Sequence, residues 1–394
     1  MITVVNKEQC CGCSACLHIC PKHSISFKED SEGFWYPHVD LSSCVNCGLC
    51  EKVCPVINQD SEREPIAVYA AKHPDDSVRL KSSSGGIFSL LAEQIIGQGG
   101  VVFGAKFNDK WEVIHDYVET PEGLEAFRGS KYVQSYIGDS YVCAESFLKA
   151  GRKVMFTGTP CQIAGLKKFL RREYENLLAV DIICHGVPSP KVWRMYLEEE
   201  ISCKEYIGKN TTLVSSKVSP TITGVNFRDK SNGWKKYSLV LNFSEETAIG
   251  KQNTVLSSMF TDNIYMRAFL SNLTLRPSCY NCPAKGGKSG ADITIGDFWG
   301  VENVFPEFDD GKGVSVVVKC THNEVINDAL LLRDLNSDFS HFNYSYKFSS
   351  SINPARKLFF KRLDKNLSII RLANRCLSLS LFMKVLLKLS SVFK

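Results

Sequence analysis

The sequence lacks the signatures of the commonest nucleotide and radical folds. No G-x-G-x-x-G follows a strand pattern, so a dinucleotide fold of the usual fingerprint is unsupported. Gly286-Gly287-Lys288-Ser289 has the form of the end of a P-loop, but Cys282 stands where that motif needs its first glycine. No C-x3-C-x2-C triplet is present, which argues against a radical S-adenosylmethionine enzyme. The opening MITVVNKEQCCGC has no basic stretch followed by an apolar one, so no signal peptide is visible and a reducing cytoplasm is expected. Acids are scarce at one end: from Arg356 onward ten Lys or Arg accompany a single acid, Asp364. The net charge of +5 therefore belongs to a tail, the rest is slightly acidic, and no nucleic-acid partner is expected.

Cysteine is what the chain has in excess. A chain of 394 residues can bury a large core without disulfides, yet it carries 17 cysteines. Nine of them lie between Cys10 and Cys54. Clustered thiols in a large chain read as metal ligands. Three blocks follow. Residues 1–60 are cysteine-dense, and the polar stretch 58–65 reads as a linker. Residues 66–345 alternate strand and helix signals, divisible at about residue 150 into 66–150 and 151–345. Residues 346–394 form a basic amphipathic tail. In the middle block, strands are expected at 66–72, 101–107, 154–156 and 177–184, with helices at 86–96 and from Ile163 through Leu166, Phe169 and Leu170. A more antiparallel region is expected around 225–228 and 238–243.

Two runs repeat within the first block. Cys10, Cys13, Cys16 and Cys20-Pro21 match the bacterial ferredoxin spacing, and so do Cys44, Cys47, Cys50 and Cys54-Pro55. Three thiolates within seven residues wrap one cubane face, and the fourth ligand arrives from the other run. One 4Fe–4S cluster is thus assigned to Cys10, Cys13, Cys16 and Cys54, the other to Cys44, Cys47, Cys50 and Cys20. A pair of zinc sites would suit the C-x2-C pairs, but the doubled triplet with Cys-Pro is far more specific. Cys11 is surplus and reads as a non-ligand. Segments 24–27 and 34–39 flank a turn and form a hairpin.

Further cysteines suggest a site in the core. Cys161 follows Gly158-Thr159-Pro160 where a strand hands over to a helix, and Cys184 ends the next strand. A right-handed crossover makes these strands parallel and puts both thiols at the carboxyl edge of the sheet, where open α/β sheets place their sites. With the pair Cys279 and Cys282, they make four ligands, enough for a third 4Fe–4S cluster; plain buried thiols are the alternative. The turn Ser83-Ser84-Gly85-Gly86 opens a helix and offers backbone N–H groups to an anion, or is an ordinary cap. Arg128 to Tyr132, with Ser130 and Lys131, suits a phosphate or ring contact, or is a charged surface turn. His185 is a proton donor or a structural histidine; Asp297 is a site residue or a carboxylate that fixes its loop. The segment 377–393 is too short and too charged to span a membrane; it lies on a membrane's inner face as a peripheral contact, or packs on the core.

The segments SSSGGIFSLLAEQII, RGSKYVQS, GTPCQIAGL, DIICHGVPSP, NFRDKSNGW, LRPSCYNC and ADITIGDFWG occur in this order. With the double ferredoxin motif, they resemble the family of coenzyme F420 hydrogenase/dehydrogenase beta subunits over about residues 1–320, in the form of its bacterial members. The resemblance implies an α+β, mixed fold: a two-cluster ferredoxin domain, then an α/β flavin-binding core with a mixed sheet. It implies a flavin and iron–sulfur oxidoreductase with FAD in the core and a 4Fe–4S cluster at Cys161, Cys184, Cys279 and Cys282. It promotes Ser83, Ser84, Gly85, Gly86, Ser130, Lys131 and Thr159 to flavin contacts. FAD would exchange a hydride with a small organic donor or acceptor, and the clusters would relay single electrons to an external redox partner protein. A pure electron carrier within a larger complex and a structural metal-binding protein are the rival readings. The family name does not fix the substrate.

Overall fold

The computed structural model describes residues 1–211, 219–247, 250–322, 331–335, 346–365 and 368–392. Strands β1 (Ile25–Glu29) and β2 (Trp35–Val39) form the expected antiparallel hairpin. The core is an eight-stranded sheet built from β3 (Ala67–Lys72), β4 (Val101–Phe107), β5 (Val113–Val118), β6 (Val154–Gly158), β7 (Leu177–Ile182), β11 (Ile293–Asp297), β12 (Ser315–Lys319) and β13 (Leu331–Asp334). A separate antiparallel sheet joins β8 (Thr221–Asp229), β9 (Ser238–Thr247) and β10 (Gly250–Met259).

The large sheet runs in the order β13-β3-β12-β11-β7-β6-β4-β5. Its middle strands β4, β6, β7 and β11 are parallel, and antiparallel strands flank them on both sides. Parallel strands covered on both faces need apolar residues at successive positions, and β4, β6 and β7 supply them. Val101, Phe103, Val154, Phe156, Leu177 and Ala179 face the helices Ser140–Lys149 and Pro160–Leu170. Val102, Met155, Leu178 and Val180 face the other way, onto Ile87, Leu90, Leu91 and Ile95 of the helix Ile87–Gly97. The period of two along each strand thus divides one apolar run between two cores.

The ferredoxin block is seated on the first of these faces. Cys11, Cys13, Ala15 and Val53 are buried in the same apolar cluster as Ile163, Leu166 and Phe169. The helix Pro160–Leu170 has glycine at position 165 where the two parts meet. A Cβ there would stand 2.7 Å from Cys13 Cβ and 2.9 Å from the Tyr141 hydroxyl. The hairpin is held at its turn as well. Arg356 grips Glu32 with both terminal nitrogens (2.6 and 3.2 Å), and Arg194 pairs with Glu29. The stretch 58–65 read as a linker runs along the core: Lys168 pairs with Asp60, and Arg63 N–H donates to the Gly286 carbonyl. Gly287 lies against the Arg63 backbone, 2.8 Å from where a Cβ would be. That contact accounts for the glycine pair that resembles a P-loop.

The tail is helical and partly packed. Phe359, Phe360 and Leu363, then Ile369, Leu372, Ala373 and Cys376, join the core cluster of Trp193, Tyr196 and Phe269. These last four residues lie along the start of the helix Ile369–Val392 at helical spacing. Beyond them Leu379, Leu381 and Phe382 are exposed. Phe393 and the side chains from 383 onward lie outside the described residues. Among the described residues no helix is long and apolar enough to cross a membrane.

Gly165→Ala tests the seating of the ferredoxin block. Overpacking of this kind costs about 1–3 kcal/mol. The urea midpoint should fall while the far-ultraviolet circular dichroism of the native protein is retained. An unchanged midpoint would mean that the Cys13 loop does not press on this helix.

Candidate iron–sulfur and flavin site

Each ferredoxin run turns around a glycine or serine in the left-handed region: Gly12 (φ 71°) and Ser14 (φ 66°) in the first, Gly48 (φ 74°) in the second. These turns fold the three thiols of each run toward one side. The result is two cavities. One is lined by Cys10, Cys13, Cys16 and Cys54, with Cys11 also at its wall. The other is lined by Cys20, Cys44, Cys47 and Cys50. The fourth cysteine of each run thus stands in the cavity of the other, as the crossed ligand assignment requires. Thiols that ring a cavity suit a cubane rather than a single ion, and among the described residues no three His, Cys, Asp or Glu close on one metal ion.

The core thiols gather as the topology demands. Strands β6 and β7 are parallel and in register from Val154↔Leu177 to Gly158↔Asp181. Cys161 and Cys184 follow their carboxyl ends. Leu275 bridges to Pro188, and this bridge carries the short helix Pro277–Asn281 to the same edge. Val187 N–H donates to Cys279 Sγ (3.4 Å). Cys184 has Cys279, Cys161 and Cys282 as its charged neighbours, and Cys279 has Cys282 and Cys161. Burial raises Cys184, Cys279 (to about 12) and Cys282 (to about 11) above their ordinary range, and the contact with Cys11, together with burial, raises Cys161. Such a group ionises only when a cationic centre takes the thiolates. These residues therefore fit a thiolate-ligated cluster. Cys11, set aside as surplus, has a place of its own: its thiol makes hydrogen-bonding contact with both Cys13 and Cys161.

The residues proposed for flavin come together in a different way. Ser130 N–H and hydroxyl both donate to Ser83 Oγ (2.6 and 2.9 Å), so the two turns meet. Ser84 Oγ donates to the Val314 carbonyl, and Gly85 N–H donates to Ser315 Oγ. Gly86 takes φ 85°, where a Cβ would meet His73. The Lys131 ammonium donates to the carbonyls of Phe127, Arg128 and Gly129, and burial lowers its pKa to about 7. Thr159 lies with the core thiols instead: its hydroxyl is 3.3 Å from Cys161 Sγ, and its N–H donates to Gln162 Oε1.

His185 and Asp297 occupy adjacent strand ends and have separate surroundings. His185 stands edge-on to Phe269, with ring centroids 5.0 Å apart. Burial lowers its pKa, so the ring is neutral at pH 7. Asp297 accepts two hydrogen bonds from Arg228 (2.9 and 3.3 Å). Arg228 also donates to the Ser83 carbonyl and the Tyr132 hydroxyl, and lies over the Tyr237 ring at 4.0 Å. Arg228, Lys230 and Arg276 escaped the sequence reading. Arg228 and Lys230 sit in NFRDKSNGW and Arg276 in LRPSCYNC, so the signal was a cation inside a motif segment.

Two predictions follow from this geometry. Cys54→Ser should abolish the paramagnetic signal of one ferredoxin cluster and Cys20→Ser that of the other, each with loss of about four irons. Loss of the same signal in both variants would reject the crossed assignment. Asp297→Ala leaves the buried Arg228 without its carboxylate, which should cost about 3–5 kcal/mol of stability in denaturant unfolding. An unchanged stability would free Asp297 from a positioning role.

Residues 9–58 match the family described as 4Fe-4S dicluster domain, and residues 151–330 match the C-terminal part of the beta subunit of coenzyme F420 hydrogenase/dehydrogenase. The F subunit of F420H2 dehydrogenase from Methanosarcina mazei is 26% identical over 196 residues, which are 46% of this chain and 54% of that protein. Coenzyme F420-dependent sulfite reductase of Methanocaldococcus jannaschii is 24% identical over 187 residues, 47% of this chain and 29% of that one. The chain thus spans about half or less of the length of these curated relatives. A chain of the F420-reducing NiFe hydrogenase complex from Methanosarcina barkeri is similar in structure at 16% identity and a TM-score of 0.43, covering 82% of this chain and 93% of that one, a likeness too low to rest anything on. The dicluster match makes this an iron–sulfur redox protein. Residues 151–330 thus carry the C-terminal region of the coenzyme F420 hydrogenase/dehydrogenase beta-subunit family, with a 4Fe–4S dicluster domain in front of it.

Proposed function

We propose that the chain is an iron–sulfur flavoprotein oxidoreductase that couples two-electron hydride chemistry to one-electron transfer through three 4Fe–4S clusters. The observation that supports this reading is an unbroken line of thiols. It begins at Cys47, which is exposed, passes to the cavity of Cys10, Cys13, Cys16 and Cys54, and continues through Cys11 to Cys161 at the sheet edge. Cys161, Cys184, Cys279 and Cys282 would hold the third cluster. Bound FAD would supply hydride exchange with a small organic donor or acceptor and single-electron exchange with the clusters. Its hold would fall to Ser83, Ser84, Gly85, Gly86 and Ser130. Thr159 would hydrogen-bond at the core cluster, His185 stands where a proton donor to that edge would be, and Asp297 fixes Arg228.

The names of the relatives, F420H2 dehydrogenase and F420-dependent sulfite reductase, put a reduced deazaflavin within that substrate class. The first of them is named as one subunit among others, which supports an external protein partner. Leu41 and Val45, exposed beside Cys44 and Cys47, mark the outer cluster as the port to it.

A second reading is an electron carrier within a larger complex, without its own substrate. One observation favours it: the polar groups of the flavin turn satisfy one another, Ser83 through Ser130, Ser84 through Val314, Gly85 through Ser315 and Lys131 through three carbonyls. Iron, acid-labile sulfide and flavin per chain after anaerobic purification separate the two. About twelve irons with one FAD supports the oxidoreductase. About eight to twelve irons without flavin, from preparations shown not to have lost cofactor, supports the carrier.

A further inference from the structure

Arg228 and Arg276, two of the buried arginines, are compensated differently. Arg228 meets the carboxylate of Asp297 at 2.9 Å. Arg276 is 0% exposed and, among the described residues, is in no ion pair with Asp or Glu. Its Nε donates to the Cys10 carbonyl (2.8 Å) and one terminal nitrogen to Gln134 Oε1 (3.0 Å). The other donates to the Trp35 carbonyl (2.9 Å) and reaches Cys10 Sγ at 3.6 Å. The guanidinium plane lies 4.4 Å from the Tyr36 ring centroid and 5.4 Å from that of Phe34.

A guanidinium does not shed its proton in a protein, so burial cannot neutralise it. A buried cation is tolerated when an anion accompanies it. The groups near Arg276 that can carry negative charge are a phenol, Tyr36, and sulfurs that become thiolates on ligating a cluster: Cys10, whose Sγ is 3.6 Å away, Cys11 and Cys279, with Cys161 also within its field. The Tyr36 hydroxyl is itself buried and pushed toward its neutral form. That leaves the sulfurs. Gly12 is part of the arrangement, since a Cβ on it would stand 2.9 Å from a terminal nitrogen of Arg276 and 2.8 Å from Gln134. The first ferredoxin loop is shaped to admit this side chain.

We infer that Arg276 is the counter-charge shared by the cluster of Cys10, Cys13, Cys16 and Cys54 and the core site of Cys161, Cys184, Cys279 and Cys282, and that it raises the reduction potential of both. The inference rests on the cluster assignments proposed above. Reduction adds negative charge to a cluster, and a fixed cation in a low-dielectric interior favours the reduced form. A hydrogen bond to a ligating sulfur acts in the same direction. None of the hydrogen bonds of Arg276 reaches the cavity of Cys20, Cys44, Cys47 and Cys50, so the outer cluster serves as an internal control. Arg276 is a positioning residue here, and its signature is a potential rather than a rate.

The test is a potentiometric titration of the full chain followed by electron paramagnetic resonance, on wild type, Arg276→Gln and Arg276→Lys, with iron content measured alongside. The Cys20→Ser and Cys54→Ser variants assign the two ferredoxin signals. Arg276→Gln is expected to lower the midpoint of the inner ferredoxin cluster, and that of the core cluster, while the outer midpoint stays in place. Arg276→Lys, which keeps a charge without the planar fork, should recover part of the shift. Unchanged midpoints at full iron content would overturn the inference, and so would an equal shift of every signal. If the glutamine variant sheds iron, selective loss of the inner cluster with retention of the outer one supports the counter-charge, whereas loss of both overturns it. A wild-type content of about eight irons would remove the core site alone, and the inner ferredoxin signal would still carry the test.

Discussion

Gly165 leaves no side chain between the helix Pro160–Leu170 and the loop that carries Cys13, and the rest of the redox geometry depends on that contact. Electron transfer between clusters needs fixed separations, and a flexible tether between domains does not provide them. Here the first ferredoxin loop shares an apolar cluster with the helix that begins next to Cys161. The same helix therefore packs against Cys13 and places Cys161, the thiols proposed as ligands of the inner ferredoxin cluster and of the core site. At the opposite side of the block, Arg356 on Glu32 and Arg194 on Glu29 stop the hairpin from swinging. The ferredoxin block behaves as a layer of the core, not as a bead on a linker.

Buried charge is handled with equal economy. Arg228 and Asp297 form a pair whose guanidinium also donates to the Ser83 carbonyl and the Tyr132 hydroxyl, so the pair joins β8, β11 and the Ser83–Gly86 turn. Lys230 does similar work with its ammonium on the carbonyls of Arg79, Ser84 and Lys312. Arg276 differs because its surroundings are carbonyls, an amide, aromatic faces and sulfur. A cation that lacks a carboxylate in the folded chain points to charge supplied by what the thiols bind.

The parts legible in the sequence are those governed by short spacing. The crossed ferredoxin ligands follow from seven-residue wraps, and the parallel pairing of β6 and β7 follows from one crossover. Helix Ile87–Gly97 and strand β4 lie within a residue of where the apolar pattern puts them. What escaped reading is long-range. Strands β12 and β13 complete the sheet only by pairing with β3, far back in the chain. Arg276 meets Cys10 across 266 residues, and no local pattern announces such a contact. The tail illustrates a different limit: its composition fits either a membrane surface or a helix packed on the core or on a partner, and Ile369, Leu372, Ala373 and Cys376 are decided by the core cluster that receives them.

The placement of Arg276 also bears on the direction in which charge settles. The outer cavity has Cys47 exposed and Val45 beside it, so water screens any charge added there. The inner cavity is walled by Cys13 and Cys16, both buried, where an added electron would be costly without compensation. Burial alone would therefore make the inner cluster the harder of the two to reduce and would place a barrier in the middle of the thiol line. The guanidinium of Arg276, held on the Cys10 carbonyl and 3.6 Å from its Sγ, would offset that penalty. The same buried charge that makes Arg276 expensive for the folded chain would thus level the path from the exposed cluster to the sheet edge.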